Sequence, residues 1–321
     1  MNTASREHER GCLQFGSTGR KSGSDKITPA TTLIDLFNTH RPALFGIAYR
    51  MLGRVSEAED MMQEVWLRWQ KQEAAEIDSP KAWLVSATTR LCIDQLRSAR
   101  REREEYYGVW LPEPLVEAAN TMPDHLADLT DSLTMAFMMM LETLGPVERA
   151  VFLLHEVFEY SYADTAAVVG KTEGNCRQII RRSKASLLAN PAPPQPPNDQ
   201  ARRVVEQFAH ATSTGQIDQL LDLLMEDVTV YSDGGGKVKA AGLPIRNADR
   251  VSRFLIGIQR RLPTDTECRY ASVNGMPGML MISGGQIYSA YSFDLVGGRV
   301  RNIYGIWNPE KLRHLTLHPE P

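Results

Sequence analysis

The stretch SYADTAAVVGKTEGNCRQIIRRSKASLL, residues 161–188, reads as two short helices joined by a tight turn. Ser161 can cap the first helix, with Asp164 three residues on in the capping-box place. Ala163, Ala166, Ala167 and Val169 give that helix a small apolar surface, and Gly170 ends it, since glycine takes the left-handed C-cap conformation at little cost. Thr172 caps the second helix, and Glu173 complements its N-terminal dipole. Ile179, Ile180 and Leu187 face inward, whereas Lys171, Arg177, Arg181, Arg182 and Lys184 line the outer side and the ends. This is a helix-turn-helix pattern with a basic second helix, the arrangement that lays one helix in a DNA major groove. Read alone, it is equally compatible with an ordinary helical hairpin carrying a solvated basic face.

The rest of the chain supplies context. Its 321 residues leave room for two or three domains, and a hydrophobic content of 42% allows proper cores. The net charge of -3 excludes a global basic field. From residue 200 onward 14 Lys+Arg face 12 Asp+Glu, so the N-terminal part is net acidic. Positive charge in that part gathers in two places, Arg90, Arg97, Arg100, Arg101 and Arg103, and the basic helix of 171–184. Such a balance suits a protein that binds DNA poorly alone and better beside a partner. Cys12, Cys92, Cys176 and Cys268 are far apart with few histidines near them, which argues against zinc. No signal peptide or apolar run of transmembrane length occurs, and the expected location is cytoplasmic with no membrane partner.

Residues 1–29 are polar and aperiodic, which predicts a disordered extension. Leu33, Leu36, Phe37, Leu44, Ile47, Ala48, Met51 and Leu52 recur at helical spacing up to Gly53. A second helix follows Ser56, with Met61, Met62, Val65, Trp66 and Trp69 as its buried stripe and Asp60, Gln63, Glu64 and Arg68 outside. Ser79-Pro80 opens a third helix with Trp83, Leu84, Ala87, Leu91, Ile93 and Leu96 as core candidates and a basic C-terminal half. Trp83 and the arginines would suit single-stranded DNA, although a lone Trp more often belongs to a core. Pro112 and Pro114 break YYGVWLPEPLVE, residues 106–117, into an extended linker seated in a groove of this protein or a partner. A helix over 124–144 and another beginning at Pro146 lead into the helix-turn-helix; His155 reads as a satisfied packing residue. PAPPQPP, residues 191–197, predicts a stiff polyproline spacer. Beyond it come an amphipathic helix over 201–225, two strands around the glycine turn of EDVTVYSDGGGKVKAA, another helix, and four strand candidates ending in RVRNIYGIW. That order implies an α+β domain whose curled sheet wraps a helix.

At this point the residues resemble the bacterial extracytoplasmic-function sigma factors. YRMLG (49–53) and DMMQEVWLRW (60–69) resemble the part that docks on core RNA polymerase. Residues 80–105 resemble the segment that melts and reads the minus-ten element, and 142–188 the domain that reads the minus-thirty-five element. WLPEPL (110–115), DGGGK (233–237) and NPEKL (308–312) are similar to the group 41 type, which carries a fused SnoaL-like domain. Glu310 departs from the Asp of the usual NPDKL form, and Thr89 stands near a place where many sigma factors carry Asn.

The resemblance implies a multidomain protein: two all-α sigma domains, the second a helix-turn-helix, then an α+β SnoaL-like cone. The expected segments are an extension (1–29), a region 2 domain (30–105), the WLPEPL linker (106–123), a region 4 domain (124–190), a Pro-rich linker (191–199) and the cone (200–321). It implies polymerase contact through Asp60, Gln63, Glu64 and Arg68. It implies promoter DNA contact through Arg97, Arg100 and Arg101, base reading near Thr172, Glu173, Asn175 and Arg177, and phosphate contact through Lys171, Arg181, Arg182 and Lys184. It further implies regulation in cis. Trp110, Leu111, Pro112, Glu113, Pro114 and Leu115 would meet Asp233, Gly234, Gly235, Gly236 and Lys237 and Asn308, Pro309, Glu310, Lys311 and Leu312. The main expectation is thus a transcription initiator with no enzyme activity, cofactor or metal. The alternative is a cone that senses a small ligand or keeps isomerase or hydrolase chemistry. Its pocket would be lined by Tyr231, Phe254, Tyr288, Tyr291 and Trp307, with Asp233 as general base beside Lys237.

Overall fold

The computed structural model describes residues 32–72, 77–99, 105–116, 133–187 and 198–316. The extension 1–29, Arg100, Arg101 and Arg103, residues 124–132 of the fourth expected helix and the spacer 191–197 lie outside the described residues.

Helix α1 (Leu33–Leu52) opens with a capping box between Thr32 and Asp35 and ends at Gly53, whose φ of 73° is left-handed. Helix α2 spans Val55–Trp69 and α3 spans Pro80–Ser98, the latter capped by Ser79 with Pro80 in its first turn. Trp69 fixes α2 to the start of α1 by donating its indole N–H to the Leu33 carbonyl at 2.8 Å. Of the expected stripe, Met62, Val65 and Trp69 are buried, and Met61 and Trp66 are half-buried. Trp83 is half-buried, its ring tilted against that of Trp69 at 5.3 Å.

The second helical unit comprises α4 (Met135–Leu141), α5 (Pro146–Phe152) running on as a π-helical turn (Leu153–Val157), α6 (Tyr162–Val169) and α7 (Glu173–Leu187). The described helix begins only after Thr134, whose hydroxyl accepts from Phe137 N–H. On α6 the buried residues are Thr165, Ala166 and Val168, while Ala163 and Ala167 are exposed, so the core stripe is rotated from the one expected. His155 is satisfied by the Tyr160 carbonyl at 2.8 Å and by the Tyr162 ring. One apolar cluster runs through both helical units, from Leu36 to Ile180.

The C-terminal domain begins with α8 (Asn198–Thr214) and α9 (Ile217–Leu223), separated at Gly215. Then come β1 (Leu224–Asp233), β2 (Ile245–Arg246), α10 (Ala248–Gln259), β3 (Glu267–Val273), β4 (Met276–Ser283), β5 (Gln286–Val296) and β6 (Arg299–Ile306). They form a six-stranded sheet ordered β2-β1-β6-β5-β4-β3. Three two-residue turns, Asn274-Gly275, Gly284-Gly285 and Gly297-Gly298, all carry positive φ, as hairpins with the natural strand twist demand. The expected second strand after DGGGK does not form. Gly234 starts a helical turn that carries Lys237 and Val238 back over its carbonyl, and β1 pairs instead with Ile245–Arg246. Alternate strand residues serve two cores. Val230, Met279, Met281, Tyr291 and Ile303 pack on one face with α8 to α10. Ala271, Leu280, Ile282, Tyr304 and Ile306 pack on the other with Leu111, Val116 and Met135. Both faces of this mixed sheet, in which β1 runs parallel to β6 and the other neighbours antiparallel, are therefore covered, the second by the linker and α4.

Candidate nucleic-acid interface and interdomain clasp

The helix-turn-helix is built as its residues dictate. Ser161 accepts from Asp164 N–H at 3.1 Å, Gly170 turns the chain with φ 65°, and Thr172 accepts from Asn175 N–H at 3.2 Å. Lys171, Thr172, Glu173, Asn175, Arg177, Arg181, Arg182 and Lys184 are all exposed. Several are held by neighbours. Arg177 meets Glu173 at 2.7 Å and lies over the Tyr162 ring at 4.9 Å. Lys184 meets Glu156 at 2.6 Å, and Arg182 approaches Glu148 at 3.6 Å. Exposed pairs of this kind contribute at most about 1 kcal/mol, so a phosphate can displace the carboxylates. Arg97 is exposed and pairs with Asp94 at 3.3 Å. Arg90, in the same basic cluster, is committed elsewhere. It donates to the Val168 and Ala167 carbonyls at 3.0 and 3.2 Å, tying α3 to the C-terminal end of α6. Arg149 ties the units again, donating to the Met51 carbonyl at 2.6 Å. Thr89 is fully buried, which leaves it no route to a base.

On α2, Asp60, Gln63 and Arg68 are exposed, and Glu64 is half-buried and paired with Arg68 at 2.9 Å. Leu67, which sequence reasoning passed over, is 52% exposed on the same helix surface.

The three motifs meet at one buried ion pair. Lys311 Nζ stands 2.7 Å from Asp233 Oδ2, with side chains 2% and 0% exposed. Leu111 N–H donates to the same oxygen at 2.8 Å, and the Leu111 carbonyl accepts from Lys311. Tyr106 donates to Asp233 Oδ1 at 2.5 Å and accepts from Asn308 Nδ2 at 3.0 Å. The Lys311 ammonium also lies 4.2 Å from the Trp110 ring centroid and 4.9 Å from that of Tyr106. Burial pulls the Lys311 pKa down to about 8, against the pull of Asp233 in the other direction. Close approach explains two glycines. A Cβ on Gly235 would lie 2.2 Å from Asn308 Nδ2, and one on Gly53 would lie 2.4 Å from the Trp110 ring.

Glu113 carries the linker onto the first helical unit. Its N–H donates to Gly53 O at 2.8 Å, its carboxylate accepts from Val55 N–H at 2.7 Å, and its carbonyl accepts from Tyr49 at 2.7 Å. It thus caps α2, whose Arg54 N-cap makes no side-chain cap bond. Leu111 to Leu115 are all buried, and His314 Nε2 lies 2.8 Å from the Pro114 carbonyl, so the chain near its C-terminus closes over the linker.

Asn274 is a second junction that sequence reasoning missed. It is fully buried with φ 53°. Its Nδ2 donates to Tyr49 Oη at 2.8 Å and to the Leu133 carbonyl at 2.9 Å, and its Oδ1 accepts from Leu115 N–H at 2.9 Å. One side chain thereby joins α1, the linker, the start of the second helical unit and the cone.

Several expectations need correction. Asp233 is not beside Lys237; it is buried against the linker and has no path to a substrate. Lys237 pairs with Glu310 at 3.3 Å on the surface, and Pro309 is exposed as well. The concave cavity of the cone, about 280 Å³, touches only Tyr291 of the five aromatic residues expected to line it. Tyr231 stacks on Tyr304 across the opposite face, Phe254 and Trp307 pack into the core, and Tyr288 is 43% exposed. Among the described residues no cluster of three His, Cys, Asp or Glu could hold a metal, and no helix is long and apolar enough to cross a membrane.

Comparison with known proteins matches residues 36–102 to the Sigma-70 region 2 family and 134–187 to Sigma-70, region 4. The ECF RNA polymerase sigma factor SigJ of Mycobacterium tuberculosis is 37% identical over 230 residues, covering 70% of this chain and 72% of that protein. The probable ECF sigma factor SigI of the same organism is 30% identical over 279 residues, covering 86% and 93%. The crystal structure of SigJ superposes with a TM-score of 0.70 at 31% identity, covering 89% of this chain and all of that one.

Proposed function

Because the chain belongs to the extracytoplasmic-function RNA polymerase sigma factors, with a SnoaL-like C-terminal domain, we propose that this domain controls transcription in cis by holding the two DNA-reading units together. Elements near minus ten and minus thirty-five lie about 25 base pairs apart, or ~85 Å at about 3.4 Å per pair. In the clasped chain α3 touches α6 directly through Arg90. At about 1.5 Å per residue, no path through α3, α6 and α7 from that contact exceeds roughly 60 Å. The closed chain cannot engage both elements, and opening is the licensing step.

The observation that carries this reading is the Lys311–Asp233 pair, which grips Leu111 of the linker in the same network. In the open chain Asp60, Gln63, Glu64, Arg68 and the exposed Leu67 dock on core polymerase. Arg97 meets the melted strand together with Arg100 and Arg101. Thr172, Glu173, Asn175 and Arg177 read base edges, and Lys171, Arg181, Arg182 and Lys184 hold phosphates. The test uses the full chain with core polymerase in promoter-specific transcription, together with the distance between labels on α3 and α7. Asp233→Asn and Lys311→Met each leave one buried partner unpaired, a loss of about 3–5 kcal/mol. Both should lengthen the label distance and raise transcription. Lengthening without any change in transcription would defeat the reading.

A further inference from the structure

The cavity of about 280 Å³ lies between α8, α10 and strands β3 to β5. That is the room of roughly nine liquid waters. Phe208, Leu255, Met279 and Met281 make its walls apolar. Among the described residues no Lys, Arg, Asp or Glu lines it, and its remaining polar side chains, His210, Ser213, Gln259 and Thr266, are exposed or half-buried, so a charged guest in the apolar part would be desolvated without a partner. Two buried polar residues stand in the wall, Thr212 and Tyr291; Thr212 spends its hydroxyl proton on the Phe208 carbonyl at 2.7 Å, which leaves the hydroxyl of Tyr291. Trp307 donates its indole N–H to that oxygen at 3.2 Å. A hydroxyl that accepts in this way keeps its own proton to give to a third group. Burial pushes the Tyr291 phenol up to about 12, so the proton stays in place at neutral pH.

We propose that the cavity binds a small, uncharged, mostly apolar molecule with one carbonyl acceptor for Tyr291, and that Trp307 relays its occupancy to the clasp. Trp307 crosses Tyr291 edge to face at 5.3 Å. Its ring lies flat on Gly305, where a Cβ would stand 2.4 Å away, so it cannot shift without moving the strand end. The N–H groups of Trp307 and Asn308 both donate to the Asp233 carbonyl, at 2.8 and 3.0 Å. Asn308 then reaches Tyr106, and Lys311 reaches the Asp233 carboxylate. A single residue therefore separates the cavity wall from the buried ion pair. Trp307 fixes the Tyr291 hydroxyl from a strand end that the clasp itself holds, so the occupant binds the closed state more tightly than the open one and restrains transcription by that difference in affinity. By reciprocity, closure tightens binding of the occupant. This relay rests on the reading of cis control given above.

The probe is acetophenone, with ethylbenzene as the same outline lacking an acceptor and benzoate as its charged counterpart. The full chain carries 13C-labelled methionine methyls, and binding is read at Met279 and Met281. Acetophenone should shift both resonances saturably and bind about two- to tenfold more tightly than ethylbenzene, the worth of one hydrogen bond. Benzoate should leave them in place. Tyr291→Phe should erase the preference for acetophenone, and Ala209→Trp should fill the cavity and block binding. Lys311→Met should weaken acetophenone at least about fivefold. No saturable shift up to the solubility limit overturns the site, and equal binding of acetophenone and ethylbenzene overturns the carbonyl contact. Unchanged affinity in Lys311→Met, when its α3–α7 distance has lengthened, overturns the relay. If that distance does not lengthen, cis control itself fails and takes the relay with it, while the two ethylbenzene and saturation results still judge the site.

Discussion

Replacing Asn274 by glycine should open the clasp without unmaking the hairpin that carries it. The residue sits at φ 53°, which glycine adopts at no steric cost, so the turn into Gly275 survives. What disappears is the side chain that donates to Tyr49 and the Leu133 carbonyl and accepts from Leu115 N–H. Tyr49 keeps its bond to the Glu113 carbonyl. Leu115 N–H and the Leu133 carbonyl each lose this partner at a buried junction, at about 1–3 kcal/mol apiece. In the open chain water solvates both groups, so the cost of about 2–6 kcal/mol falls on the closed state alone. At about 1.4 kcal/mol per decade, the closed-to-open ratio should fall by roughly 30-fold or more. Spin labels at the exposed positions Asp94 on α3 and Gln178 on α7 would report the separation, and transcription with core polymerase would report the outcome. Asn274→Ala should open the chain to the same extent and lower overall stability besides, because alanine at positive φ costs about 1–2 kcal/mol in the hairpin of either state. If Asn274→Gly shows the wild-type label distance and wild-type transcription, the junction does not hold the units and the reasoning is wrong.

Gly53→Ala should displace Trp110, since its Cβ would meet the ring at 2.4 Å with φ at 73°; indole fluorescence and an unfolding free energy lowered by more than about 1 kcal/mol would register it. Lys237→Ala should change stability by no more than about 1 kcal/mol and leave the label distance alone, because its Glu310 partner is on the surface, in contrast to Lys311→Met. Arg177→Ala should relax promoter selectivity by about 1–3 kcal/mol at one base position, whereas Lys184→Ala should weaken all promoters alike and lower the salt slope by about one. Uniform losses from both, in salt titrations of polymerase-bound chain on promoter variants, would remove Arg177 from base reading. For pH, Lys311 ionises near 8 when closed and near its ordinary 10.5 when solvated. The open chain therefore binds more protons in that window, and closure should strengthen as pH rises from 8 toward 10.5. The label distance should shorten over that window in wild type, and this component should vanish in Lys311→Met.

How much of this was legible depended on whether the signal was local. Gly53 and Gly170 announce helix ends, and Asn274-Gly275, Gly284-Gly285 and Gly297-Gly298 announce hairpins, because each turn needs φ that few other residues adopt. The helix-turn-helix followed from the same local chemistry. The clasp did not. The motif DGGGK places Lys237 four residues from Asp233, which invites pairing them. The turn at Gly234 instead sends Lys237 outward, and the cation that reaches Asp233 comes from Lys311. Asn274 was hidden because an Asn-Gly turn already accounts for its asparagine, and nothing local says that its amide is used a second time. The cavity aromatics were misassigned for a reason the strand period could have exposed. Side chains two apart share a face. If Asp233 faces the linker, Tyr231 must face it too, and cannot line the concave side. The same rule, run forward from Tyr291 through Phe293, marks the residues that do look into the cone. Long-range pairing in this chain is thus decided by which face of one sheet a motif ends on, and the sheet has a partner on each face. That is why a change in the concave core and a change in the linker are expected to act on the same ion pair.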